Sequence, residues 1–380
     1  MKNRSKQTGF LVLAVFIWFM FTGFKTEAAF DLSGSFRNDV TTWQYNPSDN
    51  SPAWRWGDQS TLRLNFKEME SNVKVEGSFE LLLLAGDNAE TYLKTLSAGQ
   101  NPSFLWLDTR WVPLLETRKL YLALFSDRWT FTLGRQIINY GVGYIFSPID
   151  CFSTVNLQDI GLSRKGSDIM RVQVPLGDLA GIEGVTTITA NGTDSASAVK
   201  IFGNVQGYDL SLTGIYKKPQ EELLVGVTFK GDLGIGIHGE VVEHWNTLTN
   251  TQYFEGMVGA DYSFNGGKVV LLAEYYHNGN PIDPTILTLP ELQSLNRTFL
   301  GPNYFFGQAS FIYDEIRNFT LNGIYNPAEG SWIGTFQFLY NILQNTNLLL
   351  NARSYSGNLN GMNSGNSPKA EYGIGIEVKF

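Results

Sequence analysis

His238, Glu240 and His244 fall on one side of an alternating segment, and two imidazoles beside a carboxylate can do chemistry. Such a trio could serve as a general-base site, as a weak metal site, or as plain lining of a polar interior. A second pattern overlaps it, since Gly234 to Gly239 reads GIGIHG and matches G-x-G-x-x-G. The dinucleotide fingerprint needs a strand, a tight turn and then a helix. Here the glycines lie inside an alternating stretch with no helical pattern after it, so the match is accidental. The chain has no G-x-S-x-G, no H-E-x-x-H and no pair of cysteines, Cys151 being the only one. Those serine-nucleophile and metal signatures are therefore missing, and a disulfide framework within the chain is ruled out. No second ligand cluster joins the trio, so lining is the expectation, with no metal and no cofactor.

Charge follows the same alternation elsewhere. Arg37, Arg63, Glu80, Glu255, Asp261, Glu274 and Arg353 all fall on the polar side of alternating segments. A dry core could not hold so many charges. A water-filled channel could, and rings of charge tune which ions pass. Both signs are present, which leaves anion or cation preference open. The competing reading is that these residues pair across the lumen and plug it.

The elements that must carry these residues are strands. Helical periodicity is almost absent, while period-two segments recur from end to end. Leu62, Leu64 and Phe66 alternate with Arg63, Asn65 and Lys67, and Phe254, Val258, Ala260 and Tyr262 alternate with Glu255 and Asp261. About eighteen such segments can be counted, with sixteen possible, each near the length a tilted strand needs to cross a bilayer. The connections differ by parity. Tight turns at Ser126-Asp127-Arg128, Gly177-Asp178, Gly231-Asp232, Asn265-Gly266-Gly267 and Asp314-Glu315 alternate with longer links at 44–57, 85–115, 141–166, 278–301 and 356–368. One rim of turns and one of loops is the up-and-down pattern of membrane barrels. Aromatics at strand ends, among them Tyr216, Tyr262, Phe264, Tyr313, Tyr325 and Tyr340, suit two interfacial girdles.

The first residues have a different character. Lys2, Arg4 and Lys6 precede an apolar run from Phe10 to Phe21, and small residues follow. That order predicts an export signal over 1–28, with the barrel domain at 29–380; a retained anchor is the competitor. Aromatics make up 14% of the chain and charged residues only 17%, and the net charge of −8 argues against nucleic acid as a partner.

At the other end, KAEYGIGIEVKF puts Ala370, Tyr372, Ile374, Ile376, Val378 and Phe380 on one face and Glu371, Glu377 and Lys379 on the other. An open sheet edge in lipid leaves backbone groups unsatisfied, so this strand must pair with the first, expected from Phe30 to Trp43. A last strand ending in an aromatic resembles the recognition signal of bacterial outer-membrane barrels. The resemblance implies insertion by the barrel-assembly machinery through Phe380.

One stretch departs from the strand pattern: LGRQIINYGVGYIFSPID, Leu133 to Asp150, followed by Arg164-Lys165-Gly166. It resembles the Gly-Arg-Gln strand and Ser-Pro-x-Asp loop of uncharacterised bacterial porin-like outer-membrane proteins. The resemblance implies a loop folded inward, with Asp150 or Arg164 near a constriction. The residues themselves support this, because Tyr140, Tyr144, Phe146 and Phe152 are too apolar for a solvated loop. The alternative is that these aromatics cap the rim and touch a neighbouring subunit. Strict parity would turn Arg135 toward lipid with Trp129, Phe131 and Leu133, so a bulge at Gly134 is expected to turn it inward. An Arg snorkelling at the rim is the other option.

The reading is thus an all-β protein, a closed antiparallel transmembrane β-barrel in a bacterial outer membrane. Its expected work is diffusion of small hydrophilic solutes, with outer-membrane lipid as its surroundings. Homotrimers are possible by resemblance to general porins alone. A hydrolase barrel, or a structural or export-assembly barrel with no open pore, is the alternative.

Overall fold

The computed structural model describes residues 31–45, 53–90, 92, 111–153, 164, 166–189, 195–218, 220–283, 299–357 and 368–380. The expected leader at 1–28, Phe30, and parts of the longer loops lie outside these residues. Strands dominate what is described. They are β1 (Asp31–Gln44), β2 (Trp54–Glu70), β3 (Val73–Gly86), β4 (Trp111–Phe125), β5 (Thr130–Gln136) and β6 (Ser167–Gly177). There follow β7 (Ala180–Thr187), β8 (Ala196–Val205), β9 (Tyr208–Lys217), β10 (Glu222–Asp232), β11 (Gly236–Asn246) and β12 (Thr251–Phe264). The last are β13 (Val269–Asn278), β14 (Asn303–Ile312), β15 (Arg317–Asn326), β16 (Ser331–Leu343), β17 (Thr346–Ser356) and β18 (Ala370–Lys379).

Each strand pairs antiparallel with its sequence neighbours, and β18 pairs with β1, so the 18-stranded sheet closes on itself. The closing register runs from Ser35 opposite Lys379 to Gln44 opposite Ala370. The last residue extends it: Gly34 N–H donates to the Phe380 carbonyl at 2.8 Å, and Phe380 N–H to the Gly34 carbonyl at 3.0 Å. Closure removes both edges, which is the condition for a sheet to stand in hydrocarbon.

Alternation decides the two faces. Leu32, Phe36, Leu122, Leu212, Val227, Val241, Val258, Leu321 and Ile374 are exposed on the outer face, where an apolar belt meets lipid. Tyr216, Tyr262, Phe264, Tyr313 and Tyr325 are exposed with them. Inward positions carry the charges. The connections from an even strand to the next odd one are short throughout, as at 71–72, 178–179 and 344–345, whereas 137–166 and 279–302 lie on the opposite rim. That second rim also holds tight links such as 247–250, and the turn expected at Gly231-Asp232 falls slightly later, after Asp232.

The bulge expected at Gly134 is elsewhere. Between β3 and β4 the register passes from Ser78 opposite Lys119 to Phe79 opposite Thr117, leaving Arg118 as the extra residue. Two consecutive residues therefore turn inward there: Arg118 reaches Glu80 at 2.9 Å and Lys119 reaches Glu76 at 3.3 Å. At Gly134 the β4–β5 register runs without a slip. Glycine is required at that point for another reason, since a Cβ would lie 2.3 Å from the Leu120 carbonyl oxygen and φ is +120°.

Candidate functional site

The chain leaving β5 turns into the barrel, and two apolar seats hold it there. Ile138, Tyr140, Ile149 and Phe152 pack on Ile169, Val185, Ala198, Ile215, Leu224 and Val242, one inward residue from each strand β6 to β11. Ile145 and Phe146 pack on Met257, Tyr276, Tyr304, Phe306 and Ile324 from β12 to β15. The Phe146 ring stacks on Tyr276 at 5.4 Å and meets Phe299 edge-on at 4.8 Å. Of the four aromatics expected to be hidden, Tyr140, Phe146 and Phe152 are buried, while Tyr144 keeps 47% exposure and stacks on Phe306. Burial of rings of this size is worth roughly 1.5–3 kcal/mol each, so the seat is apolar in origin.

Polar contacts set the path of the loop backbone. The Glu240 carboxylate accepts the N–H groups of Val142 at 2.6 Å and Gly143 at 3.0 Å, and the Ser147 hydroxyl at 3.2 Å. Glu274 accepts Tyr144 N–H at 2.5 Å, Ile145 N–H at 3.0 Å and Phe146 N–H at 3.2 Å, with His238 Nε2 also 3.0 Å away. Within the loop, Asp150 accepts Tyr140 N–H at 2.5 Å and Gly141 N–H at 3.1 Å and pairs with Arg164 at 2.5 Å. Two glycines make the approach possible. A Cβ on Gly141 would lie 1.8 Å from the Ser147 hydroxyl oxygen, and one on Gly143 would lie 1.8 Å from the Phe146 carbonyl oxygen.

These contacts revise several expected roles. Glu240 and Glu274 are buried beneath the loop rather than lining open water, because loop N–H groups occupy them. His238 and His244 are buried as well, His238 against Glu274 and His244 against Glu222 at 2.9 Å with its ring stacked on Tyr253. Glu255 accepts the Tyr276 hydroxyl at 2.8 Å. Asp150 and Arg164 are brought together, but as an internal brace of the loop, with the Asp150 side chain only 4% exposed. Arg135 is not in the lumen at all. It shares the outer face with Leu133 and Met170 and forms a two-pronged ion pair with Asp168, at 2.7 and 3.0 Å. The pair, rather than a bulge or a snorkelling stem, is what accommodates it.

The opposite wall carries charges that pair with one another. Arg63 donates to Glu80 at 2.6 Å and Arg118 shares that carboxylate; Lys74 and Lys119 share Glu76, at 2.6 and 3.3 Å. Arg37 pairs with Asp39 at 2.6 Å, and Arg353 bonds the Thr335 hydroxyl at 3.2 Å. Asp261 is on the inward face of β12, half-buried beside Gly236. Parity reasoning had no means of finding Arg118, since a bulge resets parity; its only sequence signal is the run Arg118-Lys119 inside a strand.

Among the described residues no group of three or more His, Cys, Asp or Glu converges as a metal site would need. Burial pushes the Cys151 thiol up to about 11, which keeps it protonated and unreactive near neutrality. The GIGIHG stretch runs from the β10–β11 turn into β11.

No protein-family model and no curated protein matches this sequence. Solved structures do match the fold. Acinetobacter baumannii OccAB4 has 9% identity and a TM-score of 0.59, covering 93% of this chain and 99% of that chain. The two chains share one barrel fold. Pseudomonas aeruginosa OpdQ matches with 10% identity and a TM-score of 0.54 over 92% and 97% of the two chains. A BenF-like porin from Pseudomonas fluorescens Pf-5 matches with 9% identity and a TM-score of 0.59 over 92% and 98%.

Proposed function

We propose that this barrel is an outer-membrane channel for small hydrophilic solutes, narrowed by the loop after β5. The observation that carries it is the asymmetric lumen: a loop is seated on the β6–β15 wall, and the charged β1–β4 wall keeps a recess. That wall favours solutes with an anionic group. The recess, of about 440 Å³, is flanked by Arg63, Lys67, Arg118 and Lys119 against Asp31 and Glu76, with Glu80 beside it pairing Arg63 and Arg118. An export signal over 1–28, recognition of Phe380 by the assembly machinery, and a homotrimer belong to the same reading, supported by the basic-then-apolar leader, the aromatic last residue and resemblance to general porins respectively. A hydrolase reading has no comparable support, since both candidate imidazoles are buried against carboxylates.

Planar-bilayer recording of the refolded protein tests the proposal. A salt gradient should give a reversal potential on the anion-selective side. Replacing 140–152 with a short Gly-Ser link should raise conductance several-fold. A barrel that conducts neither before nor after that replacement would refute the channel reading.

A further inference from the structure

Five consecutive N–H groups, from Val142 through Phe146, all donate to just two carboxylates on the barrel wall. Neither a helix nor a strand aims successive donors to one side like this. Such a run is a backbone concavity of the kind that holds an anion. Here the anions are built into the wall, Glu240 on β11 and Glu274 on β13, both buried. Buried backbone donors without acceptors are unfavourable, so this loop path is accessible only where those carboxylates stand.

We propose that Glu240 and Glu274 are the positioning residues of the constriction: they fix the loop's conformation, while Ile145 and Phe146 fix how deeply it sits. The assignment deepens the channel reading, on which only its conductance arm rests. The two contributions are separable. Apolar side chains could seat the loop in many backbone conformations, but only the carboxylates select the one that points Val142 to Phe146 at the wall. A second consequence follows for selectivity. Both carboxylates are satisfied by loop donors, so they face no solute, and the charge that a solute meets is set by other inward residues, those of the β1–β4 wall foremost. Ser147 reinforces the latch, its hydroxyl lying 3.2 Å from both Glu240 oxygens. His238 does the same for Glu274.

The test places a reporter thiol at Ile145→Cys in a Cys151→Ser background and follows its labelling by a membrane-impermeant maleimide. Ile145 is buried, so the parent labels slowly. Glu240→Gln with Glu274→Gln should label several-fold faster, because each amide places an N–H₂ among the loop donors. Glu240→Asp with Glu274→Asp keeps the acceptors and should retain part of the protection. Arg63→Gln, which alters lumen charge without touching the loop, should leave labelling unchanged. Heat-modifiability on a gel certifies that each barrel is folded. A folded double-Gln barrel that labels like the parent overturns the assignment, as does equal acceleration by Arg63→Gln. In bilayers the double-Gln barrel should show several-fold higher conductance. Because labelling needs no current, a barrel that never conducts would sink the channel reading and leave this one standing or falling by itself.

Discussion

The two sides of the inner wall obey one alternation rule and end in different states. On β1–β4, inward Arg63, Glu80, Arg118, Glu76 and Lys119 pair directly with one another. On β6–β15, inward positions mix apolar residues such as Ile215, Leu224, Val242 and Met257 with acids such as Glu240 and Glu274, and the loop covers both kinds. The apolar residues attract ring and aliphatic side chains of the loop, and the acids attract its backbone. On β3 and β4 the inward apolar residues Leu84 and Val112 are already packed with Ala89, and the charged positions of that wall give the loop after β5 no apolar seat. The difference teaches that an inward carboxylate is a pore residue only where its surroundings are polar.

Three sets of substitutions press on that comparison. Phe146→Ala should act most strongly, since the ring is fully buried and such truncations remove about 3–5 kcal/mol of packing. The loop should unseat, and single-channel conductance should rise several-fold. Unchanged conductance would mean that the covered wall does not depend on its apolar seat. Next in size is the outer face, where neither half of the lumen is involved. Asp168→Leu leaves Arg135 with the Thr117 carbonyl but no anion on the lipid face, at a cost of up to about 2–4 kcal/mol that falls toward the interface. Arg135→Leu combined with Asp168→Leu should recover that loss, because an exposed pair is replaced by belt residues. Urea unfolding from lipid vesicles measures both. If the single and double variants unfold alike, the pair is not what accommodates Arg135. Smallest in stability is the charged wall. Lys119→Gln should change unfolding by less than about 1 kcal/mol, because the partly exposed lysine leaves Glu76 its Lys74 and Tyr121 partners. Reversal potential should nevertheless move toward cations. A stability loss as large as that of Phe146→Ala would show that the charged wall is structural after all.

Much of this architecture was legible from alternation. Leu62-Leu64-Phe66 against Arg63-Asn65-Lys67 places β2 correctly, and the pairing of the terminal strand with the first follows from the need for closure. The buried loop was legible too, from Tyr140, Phe146 and Phe152 in a segment that could not be a strand. What it would sit on was not read, although Ile169, Leu224 and Val242 are apolar residues on otherwise polar faces and carry that signal. Glu240 and Arg63 look alike in sequence, each a charge between apolar neighbours. Only the path of a loop about a hundred residues before Glu240 separates a latch from a pore wall. Gly134 was misjudged and Arg118 was missed, because both a close backbone approach and a bulge break a simple pattern, and glycine marks the first here.

The junction of Gly34 with Phe380 has a bearing on how the protein comes to exist. Its two hydrogen bonds join the first strand to the residue after the last, and the Phe380 ring lies over Gly34, with a Cβ there falling 2.7 Å from it. Every other strand pair joins neighbours in sequence, but this seam closes the longest loop in the sheet, which makes it the entropically costliest contact to form. Without it β1 and β18 would each keep a bare edge, and a bare edge is what hydrocarbon tolerates least. The small residue Gly34 thus matters for the whole circle, since the ring that rests there helps hold both ends of the sheet together.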